Sequence, residues 1–352
     1  MKRINKITGN ISGIDAAIIK KTQERLDNLT KPLGSLGRLE ELAKQICGIT
    51  AKVIPQLKNK VIFTLASDHG VTDEGVSAYP KEVTAQMVYN FLNGGAGINV
   101  LANHVGARVV VADMGVCVDL KPDPRLLVKK INYGTKNMSR EPAMTREEAI
   151  ESICAGIEIF ENEYRKGIDI IGTGEMGIGN TTSASAITAS FTKKPVEEIT
   201  GRGAGLDDKG LNSKINIIKK SLVLNNPDPT DAIDVLSKVG GFEIGGLAGI
   251  ILAAAANRVP VVIDGFISGA AALIAYHIEP KVKEYMIAAH CSVESGHRII
   301  LNYLGLKPLL DLDLRLGEGT GGALGIGLAD AAVKTLTQMA TFKGANVSEK
   351  NK

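Results

Sequence analysis

Tryptophan is absent, and aromatic residues make up only 4% of the 352-residue chain. Single-stranded nucleic acid is usually gripped by stacked rings along a basic groove. Neither half of that device is present, because the formal charge is only +3 and the lysines and arginines are mixed with acids. Cysteine is scarce too. Cys47, Cys117, Cys154 and Cys291 stand far apart without a CxxC pair, which reads as the reduced thiols of a cytoplasmic protein rather than a disulfide framework. The five histidines, His69, His104, His277, His290 and His297, form no HExxH or other ligand spacing, so no metal site is expected. Long apolar runs are missing as well. The longest, IGGLAGIILAAAA at 244–256, is too short to span a bilayer, and the opening MKRINKITGNISGIDAAIIKK lacks the apolar core of a secretory leader.

What the chain does have is glycine, 39 residues of it, mostly in short clusters. Residues 13–57 show helical spacing with many charges, broken at Pro32–Ser35, where Ser35 is placed to cap a second helix. From residue 60 the texture changes. Apolar runs read as strands at 60–67, 107–114, 168–173, 259–265, 285–290 and 308–316, separated by helical stretches such as REEAIESICAGIEIFENEYRKG. Runs that are apolar throughout and alternate with helices predict a parallel sheet covered on both faces, hence an α/β fold.

Nearly every predicted strand meets polar residues at its carboxyl end: Asp68 and His69, Asp113, Glu175, Asp264, His290, Glu318. Polar residues can simply mark where a strand leaves the core. In open parallel sheets, however, ligands bind at the carboxyl ends, and six such ends predict one shared cleft.

Two turns, GTGEMG (172–177) and GEGTGG (317–322), match the dinucleotide-binding G-x-G-x-x-G. A glutamate in each would repel a pyrophosphate. No core strand about 20 residues later ends in a ribose-binding acid either. A single phosphate fits better: GIGNTTSASAI (177–187) brings glycines, Asn180, Thr181, Thr182 and Ser183 to a helix start. GRGAGLDDKGLNSK (201–214) adds Arg202, Lys209 and Lys214 as counter-charges, and the ammonium of Lys214 suits a phosphate as a point charge. Tyr79 and Gln86, one to two helical turns apart, fit either a flat aromatic pocket or ordinary packing, and spacing alone does not choose.

Taken together, LDNLTKPLGSLGRLEELA, SDHGVTDEGVSAYPKEVTAQMVYNFLNGGAGINVLA, GTGEMGIGNTTSASAI, GRGAGLDD and LDLRLGEGTGGALG resemble the nicotinate-nucleotide–dimethylbenzimidazole phosphoribosyltransferase family, in colinear order from about residue 20 to 335. The resemblance implies a Rossmann-like parallel sheet with helices on both faces, plus a small helical domain from the N- and C-terminal segments. It divides the chain into an N-terminal helical segment (1–57), a catalytic domain (58–335) and a C-terminal helix end and tail (336–352). It implies transfer of the phosphoribosyl group of nicotinate mononucleotide to 5,6-dimethylbenzimidazole or a related base, giving α-ribazole 5′-phosphate and nicotinate in the assembly of the cobalamin lower ligand. A homodimer is implied, with small-molecule substrates, no cofactor, and neither nucleic acid nor membrane as a partner. By the same resemblance Glu318 is the catalytic base, and Tyr79, Gln86 and Leu316 form the aromatic-base pocket, with Ala78 adjoining it. Glu175, Gly177, Asn180, Thr181, Gly203 and Lys214 contact the phosphate and ribose.

The chemistry explains a carboxylate in such a turn. The leaving pyridinium nitrogen is already positive and needs no general acid, whereas glycosidases use a second carboxyl to protonate their leaving oxygen. Only the entering benzimidazole has a proton to lose, so one carboxylate suffices. An NAD(P)-dependent oxidoreductase and a non-catalytic nucleotide-binding protein are the competing readings at this point.

Overall fold

A computed structural model describes residues 1–348. Six strands form one sheet: β1 (Lys60–Ser67), β2 (Ala107–Gly115), β3 (Leu126–Val128), β4 (Ile170–Met176), β5 (Val261–Ile263) and β6 (Met286–Ala288). Their order is β3-β2-β1-β4-β5-β6, and every pairing is parallel. The chain winds outward from β1 in one direction, returns to the middle, and winds outward again from β4. That reversal leaves a crevice at the carboxyl ends of β1 and β4, the place where doubly wound sheets bind ligands.

The apolar strand runs follow from the two-residue period of a strand buried on both faces. In β1, Val61, Phe63 and Leu65 enter one core, while Ile62 and Ala66 enter the other. In β5, Val261 and Ile263 are separated from Val262 in the same way. The first core is covered by helices that include Arg146–Tyr164, Phe242–Ala256 and Phe266–Ile278; the second by helices that include Arg38–Thr50, Gly97–Val105 and Thr320–Gln338. The 244–256 apolar run therefore belongs to a helix buried on all sides. It packs almost backbone to backbone on Arg146–Tyr164: a Cβ at Gly156 would lie 1.9 Å from the Gly246 carbonyl oxygen, and one at Gly249 would lie 2.0 Å from that of Ile153.

The N-terminal and C-terminal segments meet beside the second core, to which Leu29 and Leu336 both belong. Arg25 Nε donates to the Leu336 carbonyl at 2.7 Å, and Leu29 bridges to Thr341.

Two local expectations fail. Residues 308–316 form no strand: they make an isolated bridge between His290 and Leu310 and a few backbone hydrogen bonds to residues 288–293, because this segment leaves the sheet's edge and turns back toward its centre. Ser35 does not cap the following helix. That helix starts at Arg38 behind Gly37, whose φ of 50° is tolerated by glycine, and the Glu40 carboxylate instead reaches back to the Leu36 N–H.

Gly156→Ala is expected to cost about 1–3 kcal/mol of stability through overpacking of this helix pair. Urea denaturation measures it, and a loss indistinguishable from zero would mean that the two helices part without cost.

Candidate active site

The segment after β6 returns to the crevice and enters it through three consecutive left-handed residues, Gly317 (φ 81°), Glu318 (φ 64°) and Gly319 (φ 101°). Glutamate rarely adopts this conformation, and its neighbours enforce it. A Cβ at Gly174 of β4 would sit 2.2 Å from the Glu318 carbonyl oxygen, so only glycine lets the turn lie flat on the strand. Thr64 Oγ1 of β1 donates to that carbonyl at 3.0 Å. Just past β5, Asp264 accepts from the N–H of Gly319 at 3.2 Å and of Gly322 at 2.9 Å, capping the helix Thr320–Gln338.

Held this way, the Glu318 side chain is buried, and its Oε2 accepts from the Ile98 N–H at 3.0 Å. Ile98 is in the first turn of helix Gly97–Val105, so the carboxylate itself is the anion at a helix N-terminus. Burial pushes the Glu318 carboxyl above its ordinary value; the Ile98 and Gly97 N–H groups oppose that shift, and the Asp264 charge adds to it.

Glu175, at the end of β4, is buried beside the same turn: a Cβ at Gly317 would be 2.5 Å from its Oε1. Its other oxygen accepts from Asn180 Nδ2. Burial first, then the charge of Asp264, push Glu175 up to about 8, with Glu243 and Glu318 adding further and only the Asn180 bond opposing. Asp264 is also raised by burial, with His290 and the glycine N–H groups opposing. Three buried carboxyls at one sheet end form a site that favours a positively charged guest. Among the described residues, no group of three or more His, Cys, Asp or Glu side chains is placed to hold a metal ion.

A second polar cluster lies beyond β4. Helix Asn180–Thr192 starts behind Gly179 (φ 92°), and Thr181 Oγ1 accepts from Lys214 Nζ at 2.7 Å. Lys214 is 0% exposed; burial pulls its ammonium down to about 8, opposed by the charge of Glu294. A Cβ at Gly203 would lie 3.1 Å from Thr181 Oγ1 and 3.4 Å from Lys214 Nζ, which brings all three predicted residues together. Gly177 packs on the end of β1, where a Cβ would be 2.4 Å from the Ser67 carbonyl oxygen. Beneath it His69 is fixed between Glu243 (Nε2 to Oε1, 2.7 Å) and Ser183 (Nδ1 to Oγ, 3.1 Å). Cys117 donates its backbone N–H to Asp68, and its thiol, pushed up to about 11 by burial and by Asp68, is no nucleophile at neutral pH.

The base-pocket residues are less closely assembled. Leu316 is 60% exposed, and its Cδ2 lies 2.8 Å from where a Gly97 Cβ would stand, beside Glu318. Tyr79, 53% exposed, lines a surface hollow of about 370 Å³ with Ala78, Pro80 and Lys81, but that hollow does not reach Gln86, Leu316 or Glu318. Gln86 is exposed on helix Val83–Leu92. The sequence marks Asp264 and His290 only as polar strand ends; that Asp264 fixes the turn becomes visible once the helix N-terminus is seated on it. Glu294 and the Ile98 N–H carry no sequence signal of their own.

A family profile described as Phosphoribosyltransferase matches residues 11–347. The chain is 57% identical over 349 residues to the nicotinate-nucleotide–dimethylbenzimidazole phosphoribosyltransferase of Geobacter sulfurreducens, covering 99% of each chain. It is 56% identical over 349 residues to the protein of that name from Desulforudis audaxviator, again covering 99% of each. The crystal structure of the enzyme of that name from Thermus thermophilus superposes with a TM-score of 0.91 at 42% identity, over 96% of this chain and 100% of that one.

A carboxyl raised from 4.5 to about 8 holds its proton more tightly folded than unfolded. It stabilises the fold fully below the unfolded value and loses that contribution as pH rises through the folded one. Glu175→Gln removes the titration. The ligand-free variant is therefore expected to melt with the wild type at about pH 5 and above it at about pH 8.5. A melting difference that stays constant between the two would show Glu175 to be ionised throughout.

Proposed function

The chain belongs to the nicotinate-nucleotide–dimethylbenzimidazole phosphoribosyltransferase family, and we propose on that footing how its own residues carry out the transfer. Nicotinate mononucleotide seats its phosphate on Lys214, Thr181, Gly203 and the N-terminus of helix Asn180–Thr192, with Gly177 and Asn180 lining the way to the sugar. The ribose and its cationic leaving ring lie toward Glu175 and Glu318. The entering 5,6-dimethylbenzimidazole, or a related base, stands between Glu318 and the Leu316 side, with Tyr79 and Gln86 on the approach.

The bond from C1′ to the pyridinium nitrogen breaks, and its electron pair returns to the ring, giving neutral-ring nicotinate. A bond from the benzimidazole nitrogen to C1′ forms, and the proton on the base's N–H passes to the Glu318 carboxylate. The raised affinity of that carboxylate for a proton suits it to accept one, and its charge stabilises the positive sugar in the transition state. Glu175 keeps its proton in the empty site and yields it more readily once a cation is bound beside it. The observation that carries this reading is the enforced left-handed backbone of Glu318, which lays its carbonyl on β4 beside the switch of strand order and seats one buried carboxylate on the Ile98 N–H.

The same resemblance supports a homodimer, and a division into a small unit (1–57 with 336–352) and a catalytic unit (58–335). The four cysteines are free thiols, which suits a cytoplasmic setting. No helix of the described residues is long and apolar enough to cross a membrane.

Glu318→Gln is expected to keep the fold and lower kcat on the order of 10²–10⁴-fold with saturating nucleotide at neutral pH. Steady-state assays that identify the ribotide by mass check this, and turnover close to wild type would remove Glu318 from the base role. Lys214→Ala is expected to raise the KM for nicotinate mononucleotide by roughly 10-fold or more, as for a lost charge-assisted contact, while sparing the KM for the base. The opposite split between the two substrates would move the phosphate elsewhere.

A further inference from the structure

The cluster around Lys214 already contains an anion. Glu294, the residue just before helix Ser295–Leu304, is buried, and its Oε1 accepts from the Gly203 N–H at 2.9 Å. Its Oε2 is buried with no hydrogen-bond partner. The glycine loop closes tightly over this carboxylate: a Cβ at Gly201 would lie 2.1 Å from Oε2 and 2.6 Å from Cδ. The loop's own cation faces the other way, because Arg202 pairs with Asp208 and donates to the Leu206 carbonyl. Glu294 thus takes the backbone N–H, and feels the charge of Lys214, that a phosphoryl group entering here would use. An unpartnered carboxylate oxygen at a cation-lined seat is costly to leave buried, and it ranks as a placeholder rather than a finished contact.

We infer that Glu294 is a positioning residue that stands in for the substrate's phosphate while the site is empty. It occupies the Gly203 N–H of the 201–205 loop, and it gives up that N–H to the arriving phosphate. The inference rests on the reading of Lys214, Thr181 and Gly203 as the phosphate seat. Its consequence is a graded affinity. A dianion must displace or sit beside a like charge, so the nucleotide and the phosphorylated product are held less tightly than the same donors would allow without Glu294.

Inorganic sulfate is the probe, because it stays a dianion across the range in which phosphate titrates. Sulfate is titrated calorimetrically into the full-length enzyme at about pH 6.5, where Lys214, pulled down only to about 8, remains charged. Glu294→Gln and Glu294→Ala are each expected to bind sulfate on the order of ten-fold tighter than wild type, with the KM for nicotinate mononucleotide falling in parallel. A merely structural role would loosen the loop and move the affinity the other way. Unchanged or weaker sulfate binding in both variants, with melting temperatures near wild type, overturns the inference. Lys214→Met separates the two readings. If it leaves sulfate affinity at the wild-type level, the phosphate seat itself is wrong; if it abolishes binding and the Glu294 variants show no tightening, only the placeholder role fails. A crystal structure of the wild-type protein with sulfate bound tests the same role without any substitution. Glu294 turned away from Gly203 supports the role, and Glu294 still bonded to that N–H beside a bound sulfate overturns it.

Discussion

Two backbone N–H groups, those of Gly319 and Gly322, converge on the carboxylate of Asp264, and the geometry of the site depends on that contact. It caps a nineteen-residue helix and thereby fixes the three left-handed residues in front of it. A non-glycine residue in this conformation costs on the order of 1–2 kcal/mol, so Glu318 would relax if its flanks allowed it. They do not, because Gly174 offers a flat strand surface, Thr64 takes the carbonyl and Asp264 takes the next amide. The strain is local and is held by three separate elements of the sheet. A side chain positioned this way has little freedom, which is what a proton acceptor aimed at one atom requires.

A carboxylate in a glycine-rich, phosphate-type turn is a contradiction only if the anion and the carboxylate share one seat. On the proposed reading Glu175 and Glu318 stand clear of the phosphate seat, and the carboxylate that does enter it is Glu294, on the Gly203 N–H. Glu175 ends β4 and lies against Gly317, whereas Thr181, six residues later, has crossed to Lys214. The carboxyl cluster and the Lys214 ammonium are therefore brought close together by neighbouring positions of a single strand–turn–helix unit. A substrate with a cationic ring at one end and a phosphate dianion at the other would be oriented by that polarity before any base entered.

The sheet was legible because strands buried on both faces need continuous apolar runs, and β1, β2 and β4 are long enough to show them. β3, with only Leu126–Val128, is too short to leave a pattern, and 308–316 shows the pattern without pairing as a strand. Alternation in Leu-Asp-Leu-Asp-Leu satisfies the two-residue period whether or not a neighbour exists to bond it. The site was legible to the extent that polar residues at strand ends gather wherever strands end together. Glu175 and Asp264 were readable on that basis, Glu318 only from its glycine turn because the strand expected before it does not form, and Thr181 with Lys214 on the chemistry of phosphate. The Ile98 N–H and Glu294 were not, since each acts through a contact across more than 90 residues that no local spacing encodes.

The raised proton affinities of Glu175, Glu318 and Asp264 connect structure to rate on the proposed reaction. Each shift states that its site disfavours the ionised carboxylate when empty, chiefly through burial. A cation reverses that preference, and the closer its charge, the larger the reversal. In bound nicotinate mononucleotide the positive charge resides on the departing ring. As the C1′–N bond stretches, the charge moves onto the sugar, between the leaving ring and the entering base. On the proposed reading, carboxylates arranged around that point would bind the transition state better than the ground state, and they are fixed before the reaction begins. The cost of burying Glu318 is offset by the helix N-terminus at Ile98, whose N–H groups oppose the shift that burial and the Asp264 charge impose. The substrate then needs only to bring its own charge into a field already oriented to receive it.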